Sequence, residues 1–433
     1  MAEIKPFRAW RYNQSLFENI EELTSPLFDV VSDKQRNRLY QHPYNSIHIS
    51  VPSGEYAPQQ AARLLQQWKV DQIILQDALP AIYVYYQYFS LPGNPKTFCR
   101  KGFICHIKAY DWPEKVILRH ENTIPHSVND RTALLEATQL HVSPTHGLYT
   151  DAEFELEYYM DESILNPIYE TEDYQGVRDV LSVIQDAAVI RKFMQKLAHK
   201  QVILADGHHR YESSITLRKK YMAENPAHTG QEPYNYHLMY LSNTEANDLC
   251  ILPTHRLICS LPDLDVSDFM HKLQTYFIIK VVEDPYDLNE IILGKQWAFG
   301  LLLKDTVYKI RLKPEVFSQM SWQFPPEVKE LDLTVLHYFV IEKALGIPGK
   351  DQRKSPYIHF SRSFSECMAQ VMQGEAQMAL ITQNISMEEV KKVCASGYTM
   401  PQKSTYFYPK VICGFLFSSI VPAEFTTPGC SVF

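Results

Sequence analysis

Net positive charge is missing from this chain. Lys and Arg number 42 against 50 Asp and Glu, which leaves a formal net charge of −8 over 433 residues. A global electrostatic drive toward nucleic acid is therefore excluded, because phosphate contacts need clustered basic side chains. Glycine is scarce, at 15 residues, while Tyr (27) and Pro (26) are plentiful. That balance fits strands and ordered loops better than a helical bundle. The eight cysteines include no C-x-x-C pair. They read as reduced, mostly buried thiols, with no disulfide framework, no zinc site and no haem attachment. Long apolar runs are also missing. Trp297 to Leu303 is among the longest and falls far short of a membrane span. The first residues, Met1-Ala2-Glu3-Ile4-Lys5-Pro6, hold no apolar core of a secretory signal. The expectation is a cytoplasmic protein with no membrane partner.

What remains is ordinary for a folded chain: 45% hydrophobic and 21% charged residues. That is ample material for large cores, and the length predicts two or three domains. Ile47 to Val51 alternates like a short strand. Ala61 to Val70 has helical spacing, and Ala81 to Phe89 reads as an aromatic strand whose Tyr83 to Phe89 run is one face of a packed sheet, not a nucleic-acid surface. Gly102 to Ile107 and Lys115 to Arg119 read as strands, and Asn129 to Gln139 as a helix. From 177 the order is strand, helix, strand, polar turn, helix. Asp186 is set to cap the first helix, Gln201 to Ala205 is the buried strand, and Tyr211 to Met222 is the second helix. A second α/β unit follows, with a helix over Asp332 to Leu345. A later helix is signed by a Ser386/Glu389 capping box and a Gly397 stop. The boundary is placed near 260, giving regions 1–260 and 261–433.

The polar turn carries the chemistry. Asp206-Gly207-His208-His209-Arg210 crowds four polar or charged side chains onto a strand-to-helix junction. A helix start has unpaired N–H groups and partial positive charge, so it suits an anion. Gly207 permits close backbone approach, and Arg210 offers a fork matched to phosphate oxygens. His208 and His209 can donate hydrogen bonds or move protons, and Asp206 can hold Mg²⁺ or a substrate hydroxyl. These are the parts of a phosphoryl-transfer site. The same residues also fit a structural account: an N-cap, two core histidines and an arginine paired with a structural acid.

Several blocks extend the pattern. Leu204 to Glu212, Ser25 to Ser32, Arg119-His120-Glu121 with Asp130-Arg131, Ser143 to Tyr149, Leu252 to Arg256, and Met400 to Lys410 stand in the order seen in the DUF1015 family of bacterial and archaeal proteins. The chain resembles that family along nearly its whole length. The turn is similar to one in the ParB/sulfiredoxin-like superfamily, and most like that of free serine kinases. Sulfiredoxin chemistry is rejected, since His208 stands where a Cys is needed. The resemblance implies an α/β fold (mixed α+β), with a central ParB/sulfiredoxin-like module and a C-terminal α/β unit. It implies a nucleotide, ATP or ADP, with Mg²⁺, and phosphoryl transfer to a small hydroxyl-bearing metabolite.

Within that reading, Glu121, Asp206 and His209 are the catalytic residues, with Glu121 the general base. Gly207, His208, His209 and Arg210 hold phosphate. Arg119, His120, Arg131, Thr254, His255, Arg256, Lys403, Ser404 and Thr405 are further phosphate contacts. Lys403-Ser404-Thr405 lacks the glycine-rich frame of a P-loop. A nucleotide-gated binding protein or NTPase of ParB type, and a phosphate-ester hydrolase, are the alternatives. A homodimer is left open.

Overall fold

The computed structural model describes residues 1–28, 30–173 and 175–425. Asp29, in the early block, and Cys430 lie outside the described residues. The other seven cysteines are free thiols. No helix among the described residues is long and apolar enough to cross a membrane.

The architecture is mixed α/β, in two compact units. The first unit holds Met1–Arg119, Thr123–Leu249 and the chain from Pro409 on; the second holds His120–Asn122 and Cys250–Tyr408. In the first unit, the strands Ile117–Arg119, Val202–Asp206, Thr145–Tyr149, Tyr236–Asn243, Thr97–Lys108, Ile82–Ser90, Arg178–Ile184 and Tyr169–Glu172 lie side by side in that order. Most neighbours are antiparallel; Val202–Asp206 runs parallel to Ile117–Arg119, and Thr145–Tyr149 parallel to Tyr236–Asn243.

The aromatic run differs from its expected place on one face of a packed sheet. Tyr83 and Tyr85 enter one core, while Val84 and Tyr86 enter another on the opposite face. Both faces are thus packed, and of the rings only Tyr88 is partly exposed. Helix Ala57–Val70 contributes Ala61, Leu65 and Trp68, one turn apart, to the covering layer. Burying a side chain such as Leu65 contributes about 2 kcal/mol.

Ile47 to Val51 is corrected from strand to helix: Ile47–Ser50 is one short helical turn. The side-chain carbonyl of Asn45 accepts the Ile47 N–H at 2.9 Å, and Ser50 N–H donates to Ser46 C=O at 2.9 Å. Local Asn chemistry at the turn overrides a five-residue alternation. The expected capping boundaries hold elsewhere. Asp186 accepts from Ala188 and Val189, and Ser386 and Glu389 form the reciprocal box.

The second unit contains an antiparallel six-stranded sheet ordered Phe277–Val282, Thr306–Leu312, Ala298–Leu303, Met378–Ile381, His255–Ile258, Ile358–Ser361. The expected helix from Asp332 is there, but it widens to π geometry over Leu336–Ala344. Most of that stretch is buried against the sheet.

Candidate functional site

The strand Val202–Asp206 ends at a single residue of turn, Gly207, at φ 87°. A Cβ there would stand 2.6 Å from the Thr145 methyl, so both conformation and space require glycine. The 17-residue helix then starts at His208 and runs to Glu224. The helix was expected from Tyr211. His208, His209 and Arg210 instead form its first turn, where the N–H groups have no helical partner.

Arg210 is buried and heavily engaged. Its Nη1 donates to Ser143 Oγ at 2.8 Å and to Pro144 C=O at 2.7 Å; its Nη2 donates to Asp206 Oδ2 at 3.3 Å. The other carboxylate oxygen of Asp206 accepts from Lys410. One acid is thus shared by two cations, buried Arg210 and half-buried Lys410. Burial alone would raise the Asp206 carboxyl, but Lys410, Arg210 and His208 outweigh it and hold it well below the usual carboxylate range. Asp206 therefore stays ionised.

Behind Arg210 lies a cavity of about 40 Å³, lined by Ser50, Arg131, Ser143, Ser213, His237 and Cys413 among others. Arg210 Nε and Ser50 Oγ are both buried there without a protein partner. A polar space of this size suits ordered water. Arg131 reaches the cavity while its fork holds Asp130 at 2.6 and 2.8 Å and Ser50 C=O at 2.7 Å. His237 bridges Thr145 and Ser214 at 2.9 and 2.7 Å, and burial keeps it neutral.

The remaining expected residues fall in distinct places. His209 Nε2 accepts the Ile124 N–H at 3.0 Å, which orients the ring toward the backbone. His208 is buried. Arg119 stacks over Trp112 at 4.8 Å and approaches Glu212 at 3.8 Å. Within the second unit, His120 Nε2 meets Thr405 Oγ1 at 2.8 Å, and Ser404 Oγ donates to Pro401 C=O at 2.6 Å. Glu121 lines a cavity of that unit. His255 accepts from Thr382 N–H at 3.2 Å, and burial draws its pKa down to about 4. Arg256 is fully buried, and it donates to the carbonyls of Thr254, Gln402 and Lys403 and to His337.

Two parts of the first unit's polar interior escaped the motif reading. One is Lys410, the last residue of the Met400 to Lys410 block. The other is a set of polar groups on adjacent sheet strands. Arg100 donates to Gln87 and to Pro409 C=O, and Gln87 donates to Asp179 at 2.7 Å and to Lys410 C=O at 3.0 Å. Tyr85 donates to the same Asp179 oxygen at 2.5 Å, and burial pushes that carboxyl up to about 7. The available signal was a lone Gln87 inside an aromatic strand and a charged residue, Arg100, directly across from it. Segment 409–410 touches both clusters.

A lone carboxylate already held by two cations is a poor resident site for a divalent metal. No group of three or more metal-binding side chains occurs among the described residues.

The family model described as a protein of unknown function (DUF1015) matches residues 4–334. No curated protein matches the chain. Solved structures of similar fold include a conserved hypothetical protein from Pyrococcus furiosus, 12% identical, with a TM-score of 0.38 over 73% of this chain and 95% of that one. A free serine kinase in complex with AMP is 12% identical, with a TM-score of 0.39 over 75% and 93%. SbnI from Staphylococcus aureus is 14% identical, with a TM-score of 0.36 over 73% and 87%.

Proposed function

This chain belongs to the DUF1015 family, and we propose that its Asp206–Arg210 turn binds the phosphates of a nucleotide. The observation that carries the reading is the pair of cations, buried Arg210 and half-buried Lys410, gathered around one ionised acid at the start of a 17-residue helix. Such a place offers an incoming anion N–H donors and cationic side chains that are already oriented.

The reaction class is phosphoryl transfer from ATP or ADP to a hydroxyl of a small metabolite. The backbone at Gly207 and His208 cradles phosphate, and Lys410 neutralises charge as it shifts in the transition state. Arg210 acts chiefly through position, since most of its donors already fix Asp206 and the 143–144 turn. Asp206 keeps Lys410 in place; its depressed pKa makes it a weak base. The acceptor hydroxyl gives up its proton to a general base, and its oxygen takes the phosphoryl group as the nucleotide departs one phosphate shorter. Mg²⁺ comes with the nucleotide as its counterion.

The test is a thermal-shift series on the full chain with AMP, ADP, ATP and CTP, with and without Mg²⁺. A ligand at 100 times its dissociation constant stabilises by about 2.7 kcal/mol. The expected result is a shift with ADP or ATP that disappears in the Lys410→Met and Arg210→Ala proteins. Unchanged binding in both folded variants would move the phosphate site elsewhere.

A further inference from the structure

The second unit contains a cavity of about 850 Å³. That volume lies within the range of small-molecule sites. Its walls are not a random apolar surface. Trp322 is fixed on every side: its Nε1 donates to Glu342 at 3.1 Å, and its ring meets Tyr338 edge-on at 5.3 Å and Phe324 at 5.9 Å. A Cβ on Gly349 would stand 2.4 Å from the indole, so the glycine is what lets the ring lie against the backbone. Phe324 still exposes 37% of its surface. These rings are held in place before any ligand arrives, which lowers the entropy cost of binding. Glu342 stands on the π-helical stretch, and irregular turns of that kind recur at functional sites.

The charge at the cavity is one-sided in its availability. Glu342 is consumed by Gly349 N–H at 2.7 Å, the Trp322 indole and Lys343 at 3.0 Å. Lys350, on the cavity wall, is exposed and has no hydrogen-bond or ion-pair partner among the described residues. Arg353 stands three residues on, also lining the space.

We propose that this cavity binds a planar aromatic small molecule carrying a carboxylate, its ring against Trp322 and Phe324 and its anion at Lys350. The site stands apart from the phosphate reading.

The test is titration calorimetry of the full chain with 2-naphthoate and its neutral analogue 2-naphthamide. The expected result is 2-naphthoate binding at least tenfold tighter than the amide. Lys350→Glu, a change at an exposed position, should erase that difference and leave the amide unaffected. Phe324→Ala should weaken both at least fivefold. Saturating ADP should leave 2-naphthoate binding unchanged. No binding of either probe at millimolar concentration, equal 2-naphthoate affinity in Lys350→Glu, or competition by ADP would each overturn the assignment.

Discussion

Two buried arginines look alike in the chain and differ in the fold. Arg210 follows two histidines and Arg256 follows one, and each invites an anion-binding role. Arg210 shares Asp206 with Lys410 at a helix start. Arg256 sits on an inner strand of a sheet with no carboxylate partner among the described residues; it donates to three carbonyls and His337, and burial draws its pKa down to about 9. An arginine that satisfies carbonyls is a pin. An arginine beside a second cation and an ionised acid is part of a charge device. The lesson is that the company of a buried charge, not its residue type, separates structure from chemistry.

The largest effect that could break this contrast is Arg256→Ala. The change strands several buried carbonyls and His337, each worth about 1–3 kcal/mol when left without a partner. A loss of about 3–5 kcal/mol in urea unfolding is expected, with ADP binding intact in whatever protein remains folded. A loss under 1 kcal/mol would mean that Arg256 is not a pin, and the contrast with Arg210 would fail.

Residue spacing made much of the fold legible. The helices of 57–70 and 187–197 follow apolar periodicity, and Asp186 caps the second. The short stretch at 47–51 misled, because five alternating residues weigh less than one Asn that satisfies a turn. The turn at 206–210 was visible because Gly and four polar residues interrupt a buried strand. Lys410 was not, since it arrives from 204 residues further along the chain, and no local pattern encodes that pairing. Arg100 and Asp179 were hidden for the same reason: their meeting through Gln87 depends on strand register.

A middle-sized effect sharpens the comparison. Lys410→Met leaves Asp206 with one cation, and a cost of about 1–3 kcal/mol is expected from the lost charge-assisted bond. Asp206→Asn alone leaves two cations crowded together. The double variant should recover part of the stability lost by the single ones, giving a coupling energy above about 1 kcal/mol in a double-mutant cycle. Nucleotide affinity should not recover, because the Lys410 ammonium assigned to the phosphate is gone. Recovery of both together would make the cluster purely structural.

The smallest effect is the one most specific to Arg210's surroundings. Asp206 is held below the ordinary carboxylate range in the folded chain. A group of that kind adds stability that is complete above its unfolded pKa and is lost as pH falls toward its folded one. From pH 5 to pH 3 the unfolded carboxyl takes up its proton while the folded one stays ionised, so about 1 kcal/mol of stability should drain away. Asp206→Asn should flatten that part of the acid slope. Variants of Arg256 act in this window through histidines instead: burial and the neighbouring Arg256 draw His255 down to about 4 and His337 down to about 3, so removing the guanidinium raises both with Asp206 untouched. The effects of Asp206→Asn and of an Arg256 variant on the acid slope should therefore add. A double variant with the slope of either single one would mean that the two arginines answer to the same acid, and the distinction drawn from their partners would not stand.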